Sequence, residues 1–513
     1  MATGHDRGDG CLGKNDTWEV VDIPKGTHLV GSKWVFNVKY KPDGTVERYK
    51  ARLVAKGFSQ KYGIDYLETF ASVAKLKTVR VILALAVQKR WSMDQLDVKN
   101  AFLNGHLEEE VYMSMPPGYV QSGKCCHLKK ALYGLKQSPR AWFERLRIVM
   151  KTNGYKQGNC DHTLFIKQRD GLVSLLLVYV DDMIVTGDDE EEKRKMKERL
   201  AAEFDLKDLG KLRYFLGIEI ARSETGLVIS QRKYTLDLLK ETGKLGCRPF
   251  LTPMESGTKI SIKTGNILDE EGKGRYQRLV GKLIYLTLTR PDITYAVNVL
   301  SQFMHAPTDC HWKSAERVLG YLKNNPGKGL LYTQQDQLNI EGYSDADWAG
   351  CTDTRRSTTG YCILLGGNLV VWRSKRQEVC SRSSAEAEYR AVAMGVTEML
   401  WLKILLAHIG VETEEKMKMY CDNKSAINLA NNPVLHDRTK HVEIDRHFIR
   451  ERIDSKELIL PYMKSEDQIA DVLTKALCTS QFEKNVSKLC MFDMYAKLEG
   501  SVNISCIGNR VWI

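Results

Sequence analysis

Two adjacent aspartates, Asp181 and Asp182, interrupt the apolar stretch LLLVYVDDMIV that runs from Leu175 to Val185. Neighbouring carboxylates in an apolar hairpin make each other harder to ionise, unless a cation lies among them. An acidic pair at such a place is otherwise a turn former, because aspartate caps tight turns well. A third acid stands upstream, in WSMDQLDVKNAFLNG. On a strand, Met93, Gln95 and Asp97 share one face, while Leu96 and Val98 share the other. If that strand lies beside the hairpin, Asp97, Asp181 and Asp182 form one cluster. Hard divalent ions such as Mg²⁺ (or Mn²⁺) take a few carboxylates plus substrate phosphates. Two such ions in one site activate an attacking oxygen and stabilise a leaving one in phosphoryl transfer.

A second acidic set lies toward the C-terminus. IEGYSDADWAG reads as a strand that ends in Asp345 and Asp347. In SSAEAEYRAVAMGVTEMLWLKILL, positions 388, 392, 395, 399, 402 and 406 recur at helical spacing, so Glu388 begins the buried stripe. Glu386 points about 160° away on such a helix. KMKMYCDNKSA supplies a further strand with Asp422 at its end. SEDQIADVLTKAL opens with a capping-box pattern, Ser465 and Gln468, which predicts Asp471 early in a helix. Any one of these acids is readily a surface or helix-start charge. Together they could hold two magnesium ions that activate water against a phosphodiester.

The elements needed to place these residues are legible in outline. Ser32 to Tyr40 and Thr45 to Val54 alternate as strands around Lys41-Pro42-Asp43-Gly44, a hairpin. Lys50 and Arg52, two apart, share a face of it. Thr78 to Val87 reads as a core helix, and Glu190 to Phe204 as a helix whose charge run is a solvated face. Helical patterns recur around 276–289 and 311–324, and alternating strands and helices resume near Leu338.

Several blocks, in order, resemble the copia-type (LTR) retrotransposon Pol family in its reverse transcriptase and ribonuclease H portion. They are RYKARLVAKGFSQ, LDVKNAFLNGHLEEEVYM, ALYGLKQSPRAWF and YVDD, then YSDADWAG, SSAEAEYRA, YCDNKSAI and ADVLTKAL. The resemblance implies an α/β (α+β) architecture: a right-hand polymerase with fingers, palm and thumb, followed by a ribonuclease H-like domain. Residues 1–14, glycine-rich and polar, read as a flexible lead-in outside the resemblance, which implies fingers, palm and the start of the thumb over 15–247 and a thumb or connection module over 248–338. A ribonuclease H-like domain over 339–478 and an unassigned tail over 479–513 complete the expectation.

By the same resemblance Asp97, Asp181 and Asp182 match the polymerase carboxylates. Asp345, Glu388, Asp422 and Asp471 match those of the nuclease, with two Mg²⁺ or Mn²⁺ ions per site. Lys50 and Arg52 would hold a triphosphate, Phe102 would stand under the incoming sugar, and Gln137 would lie near the nucleotide. Tyr179, Ser138, Pro139, Leu216 and Gly217 would contact nucleic acid. His441 and His447 match family histidines. Expected partners are an RNA template, a DNA primer, an RNA–DNA hybrid and deoxynucleoside triphosphates. A truncated, non-catalytic nucleic-acid-binding remnant or scaffold is the alternative.

Bulk properties agree with a nucleic-acid partner. The 513 residues carry a net charge of +12, with 43% apolar and 27% charged residues. The 13 cysteines are scattered, so neither a disulfide framework nor a zinc finger is expected, and Cys125-Cys126-His127 lacks ligand spacing. The apolar run ending at Asp181 is far shorter than the ~20 residues of a membrane helix. A cytoplasmic (virus-like particle) or nuclear protein, not secreted and without a membrane partner, is expected. The sequence has no zinc-knuckle box, no DTG or DSG motif and no HHCC cluster, so it is expected to match only the terminal portion of such a polyprotein.

Overall fold

Alternation along Ser92–Val98 leaves Leu96 and Val98 on a face that must be covered, and a six-stranded antiparallel sheet is built around this strand. The computed structural model describes residues 16–40, 45–119, 121–223, 226–413, 415–431 and 443–493. The turn expected at 41–44, the 1–14 lead-in and His441 lie outside them. Two units divide the chain: residues 1–75 with 92–212, and residues 76–91 with 213–513.

In the first unit the sheet comprises β1 (Ser92–Val98), β2 (Lys156–Gln157), β3 (Leu164–Arg169), β4 (Leu172–Tyr179), β5 (Asp182–Gly187) and β6 (Leu206–Lys211). Their order is β6-β1-β5-β4-β3-β2. Helices Ser138–Thr152 and Glu190–Glu203 cover one face, with Trp142, Leu146, Met196 and Leu200 packed on Leu96, Val98, Val178 and Met183. The charge run of the second helix is not wholly solvated. Glu192 and Lys193 are buried: Glu192 accepts from Tyr155 and Lys167, and the Lys193 ammonium donates to Ser92 and the Gly187 carbonyl. The helix lies flush against the sheet, so positions 192, 193, 196 and 200 all face inward. The hairpin Ser32–Tyr40 and Val46–Ala55 and a three-stranded sheet complete this unit.

The second unit takes in the helix Leu76–Gln88, which is buried from Thr78 to Val87 as a core helix should be. Its Arg80 is buried, lies 3.8 Å over the Trp372 ring and donates to the carbonyls of Val370 and Leu288. Leu212–Ile220 does not form one continuous strand. Tyr214–Phe215 and Ile218–Ser223 pair back on each other through Leu216 and Gly217, both at positive φ.

A five-stranded sheet carries the C-terminal acids: β7 (Ile340–Asp347), β8 (Thr358–Leu365), β9 (Asn368–Arg376), β10 (Met417–Tyr420) and β11 (Leu458–Ile459). The order is β9-β8-β7-β10-β11, antiparallel through β7 and parallel beyond it. A parallel neighbour needs a crossover, and the helix Ser384–Ile409 lies in the one that joins β9 to β10. That helix is long and apolar enough to cross a membrane by length and composition alone, yet its stripe from Glu388 to Leu406 is buried.

An ion pair is sealed in the same unit. Arg290 and Asp292 are each 1% exposed and 2.8 Å apart, with the Tyr321 hydroxyl donating to the same carboxylate. Replacing Asp292 with Asn strands a buried guanidinium. The variant is expected to lose about 3–5 kcal/mol of stability in the second unit. Urea unfolding followed by tryptophan fluorescence should reveal the shifted midpoint; an unshifted midpoint would contradict the sealed pair.

Candidate active sites

The register of β1 against β5 places Asp97 directly opposite Asp182. Cross-strand partners project to the same face, so these two carboxylates are neighbours by backbone pairing alone. Asp181 sits in the two-residue turn between β4 and β5, and its carbonyl accepts the Val98 amide at 3.0 Å. The other turn residue, Val180, has φ of 56°, a strained conformation for a β-branched residue. Trp142 holds that turn, its indole nitrogen donating to the Val180 carbonyl at 2.8 Å.

The three acids are half-buried. Burial pushes the Asp181 carboxyl up, with Asp97 adding to the shift while Arg52 and Lys50 oppose it. Burial and then Asp181 push Asp182 up, against a hydrogen bond from Gln95. A cleft of about 680 Å³ opens beside Asp97 and Asp181, within the size range of small-molecule sites. Lys50, Arg52, Lys99 and Lys207 line it. Burial and the neighbouring Arg52 and Arg48 lower the Lys50 pKa, the mark of cations crowded without enough counter-charge. The lining therefore offers cations suited to phosphate oxygens and carboxylates suited to a divalent cation.

The remaining expected contacts divide. Lys50 and Arg52 line the cleft, and Tyr179 is the strand residue opposite Asp182. Phe102 lies behind the wall, its ring 4.7 Å from that of Tyr133, which does line the cleft and lies under the Arg52 guanidinium. Gln137 is 2% exposed and occupied, accepting from Gln60 and donating to the Asp65 carbonyl. Ser138 is buried and donates to the Leu132 carbonyl, and Pro139 opens the helix Ser138–Thr152. These three position the loop behind the cleft. Leu216 and Gly217 form a hairpin tip in the second unit, where Tyr285 donates to the Leu216 carbonyl.

The second cluster assembles at the C-terminal ends of the adjacent strands β7 and β10, in the middle of their sheet. Asp345 lies near the end of β7, and Ala346 packs on Ala387 and Ala391 of the long helix. Those small side chains let helix and strand approach closely, which brings Glu388 to the acids. Glu388 is 6% exposed, and its Oε2 has no hydrogen-bond partner. Glu386 turns away to Arg390. Asp422 follows β10, with one of its oxygens, a Glu388 oxygen and the Cys421 sulfur all within 4.8 Å of one another.

Asp471 is not on an α-helix. Ser465–Asp467 and Ile469–Leu473 are short 3₁₀ turns, because the buried Gln468 side chain donates to the Ser344 carbonyl and accepts the Ala470 amide. Gly360, opposite Asp345 in β8, makes room for this segment: a Cβ there would lie 2.6 Å from Thr474 and 2.8 Å from Leu473. His447 is exposed.

Burial, then Asp345 and Asp422, push the Glu388 carboxyl up to about 10. Burial and then Asp345 push Asp471 up to about 7, opposed by Lys475. The Lys475 ammonium lies 2.9 Å from Asp471 and 3.7 Å from Asp345, and Thr474 donates to Asp345. An unpartnered buried oxygen amid mutually repelling acids fits a divalent cation. Sequence reasoning missed Tyr133, Thr474, Lys475 and Cys421. Lys475 follows Asp471 by four residues in ADVLTKAL, which signals a contact only once the local turn is known.

Comparison with known proteins shows the family to which the chain belongs. The family described as reverse transcriptase (RNA-dependent DNA polymerase) matches residues 15–256. A retrovirus-related Pol polyprotein from transposon RE2 of Arabidopsis thaliana is 45% identical over 479 residues, covering 93% of this chain and 33% of that protein. A transposon Ty5-1 protein of Saccharomyces cerevisiae is 33% identical over 310 residues, which is 59% of this chain and 100% of that protein. The chain belongs to the copia-type retrotransposon Pol family. It spans about a third of the length of the Pol polyproteins it matches. A foamy viral protease-reverse transcriptase solved with double-stranded DNA aligns over 88% of this chain and 68% of that one, at 13% identity and a TM-score of 0.47.

Two outcomes follow for this copia-type chain. Glu388 and Asp471 ordinarily titrate near 4.5 and 3.8, and both are raised on folding. The folded state keeps protons that the unfolded state releases, so their contribution is complete below about pH 4. It declines as pH rises through about 7 and on toward about 10. In chelator, the second unit should melt lower at pH 8 than at pH 5, with Mg²⁺ restoring it; a flat profile would contradict the crowding. Gly360→Val should push the 470–474 turn outward and cost about 1–3 kcal/mol, read by thermal unfolding.

Proposed function

We propose that this chain is the RNA-directed DNA polymerase and ribonuclease H portion of a copia-type element. It would copy an RNA template from a DNA primer with deoxynucleoside triphosphates and degrade the RNA of the resulting hybrid. The observation that carries the reading is the pairing of Asp97 with Asp182 beside Asp181, with Asp97 and Asp181 lining a cleft that Lys50 and Arg52 also line. A scaffold that only binds nucleic acid has use for the cations but none for the buried acids.

Asp97, Asp181 and Asp182 would hold Mg²⁺ or Mn²⁺ at the polymerase site, and Asp345, Glu388, Asp422 and Asp471 at the nuclease site. The bound ions would supply nucleophile activation and charge neutralisation in phosphoryl transfer. The chain's own part is positioning. Lys50 and Arg52 face the triphosphate as charge-assisted donors. Tyr133, backed by Phe102, forms the apolar wall available to the sugar. Trp142 fixes the turn that aims Asp181. At the second site Lys475 and Thr474 hold Asp345 and Asp471 in place between turnovers. The hybrid's 2′-OH groups and groove shape mark the strand to be cut.

The test uses purified full-length chain, Mg²⁺ or Mn²⁺ and two substrates. Asp181→Asn with Asp182→Asn should reduce primer extension on RNA at least ~100-fold and leave hybrid cleavage in place. Asp422→Asn should do the reverse. Extension by wild type no greater than by the double variant would end the polymerase reading. Salt-sensitive binding to the hybrid without either reaction would favour the scaffold.

A further inference from the structure

One donor in the second cluster is out of keeping with magnesium. Cys421 lies between β10 and Asp422, wholly buried, and its sulfur groups with a Glu388 oxygen and an Asp422 oxygen within 4.8 Å. Hard cations have no use for sulfur, whereas a thiolate selects softer ions such as Zn²⁺. The Asn423 amide donates to that sulfur at 3.4 Å and the thiol donates to the Asn423 carbonyl, which orients it, while burial and then Glu388 push the metal-free thiol up to about 12. An independent observation also points to a ligand: Glu388 is 94% buried, and its Oε2 finds no partner in the protein.

We propose that Glu388, Cys421 and Asp422 form a site for a thiophilic divalent ion of the Zn²⁺ class. Three protein donors leave a fourth tetrahedral position for water or a phosphate oxygen. Binding forms a sulfur–metal bond, and the thiol proton passes to solvent; nothing is oxidised or reduced. The ion shares Glu388 and Asp422 with the site assigned above to magnesium, so its binding excludes the hard cation and stops hybrid cleavage. That consequence rests on the nuclease reading, whereas the binding itself does not.

The experiment is a Co²⁺ titration of the full-length chain, stripped of metal and reduced, followed by absorption. Wild type should develop a near-ultraviolet sulfur-to-cobalt charge-transfer band with tetrahedral visible bands, and Zn²⁺ should abolish both. Cys421→Ser should lose the charge-transfer band, and the exposed Cys380→Ser should keep it. Glu388→Gln and Asp422→Asn should each raise at least ~10-fold the Co²⁺ needed to develop the sulfur-to-cobalt band, a readout that holds even if Cys421→Ser does not fold. A band that persists in Cys421→Ser, no band in wild type, or unchanged affinity in both acid variants would overturn the site. In hybrid cleavage, normalised to each protein's zinc-free rate, half-inhibition by Zn²⁺ should need ~10-fold more metal in Cys421→Ser. No cleavage by any protein would remove the nuclease reading and leave the cobalt result to stand alone.

Discussion

Mutual repulsion among carboxylates that the backbone will not let separate is the constraint on which this molecule turns. Asp97 and Asp182 are fixed opposite each other by strand register, with Asp181 beside them in a turn that Trp142 clamps. Asp345, Glu388, Asp422 and Asp471 are held by a strand end, a helix start, a strand exit and a short turn. Relaxation would require slipping a strand register or lifting a helix off its sheet. Protonation or a cation would relieve the crowding, and at neutral pH a cation would do so without loss of charge.

The two clusters are assembled by different packing. In the first, antiparallel pairing brings the acids together, and the helices Ser138–Thr152 and Glu190–Glu203 brace the far face. In the second, close approach decides: Ala346, Ala387 and Ala391 draw in the helix, and Gly360 admits the turn bearing Asp471. The first cluster adjoins a cleft that Lys50, Arg52, Lys99 and Lys207 also line, whereas the second keeps its cation, Lys475, inside the acidic group.

Much of this was legible in the sequence where local periodicity decided it. The strand alternation around Leu96 and Val98 anticipated the Asp97 face, and the helical stripe separated Glu388 from Glu386, as the burial of one and the Arg390 pair of the other bear out. What escaped depended on long-range partners. The capping-box pattern at Ser465 gave way to 3₁₀ turns because Gln468 is claimed by Ser344, far away in the chain. Gln137 reads like a ligand-binding residue in its motif, but its amide is taken up by Gln60 and Asp65. The acidic and basic run at Glu190 has the composition of a solvated face, yet Glu192 and Lys193 are sealed by partners from other strands. Only the packing of Leu76–Gln88 on the second unit's strands reveals which core that apolar helix serves.

The central claim is that each acid cluster exists to hold divalent cations. Anomalous diffraction from crystals of the whole chain soaked in Mn²⁺ tests it most directly. The account predicts manganese peaks bridging Asp97, Asp181 and Asp182, and others among Asp345, Glu388, Asp422 and Asp471. Saturating Mn²⁺ with no peak at either cluster, or peaks only at unrelated surface acids, would contradict it.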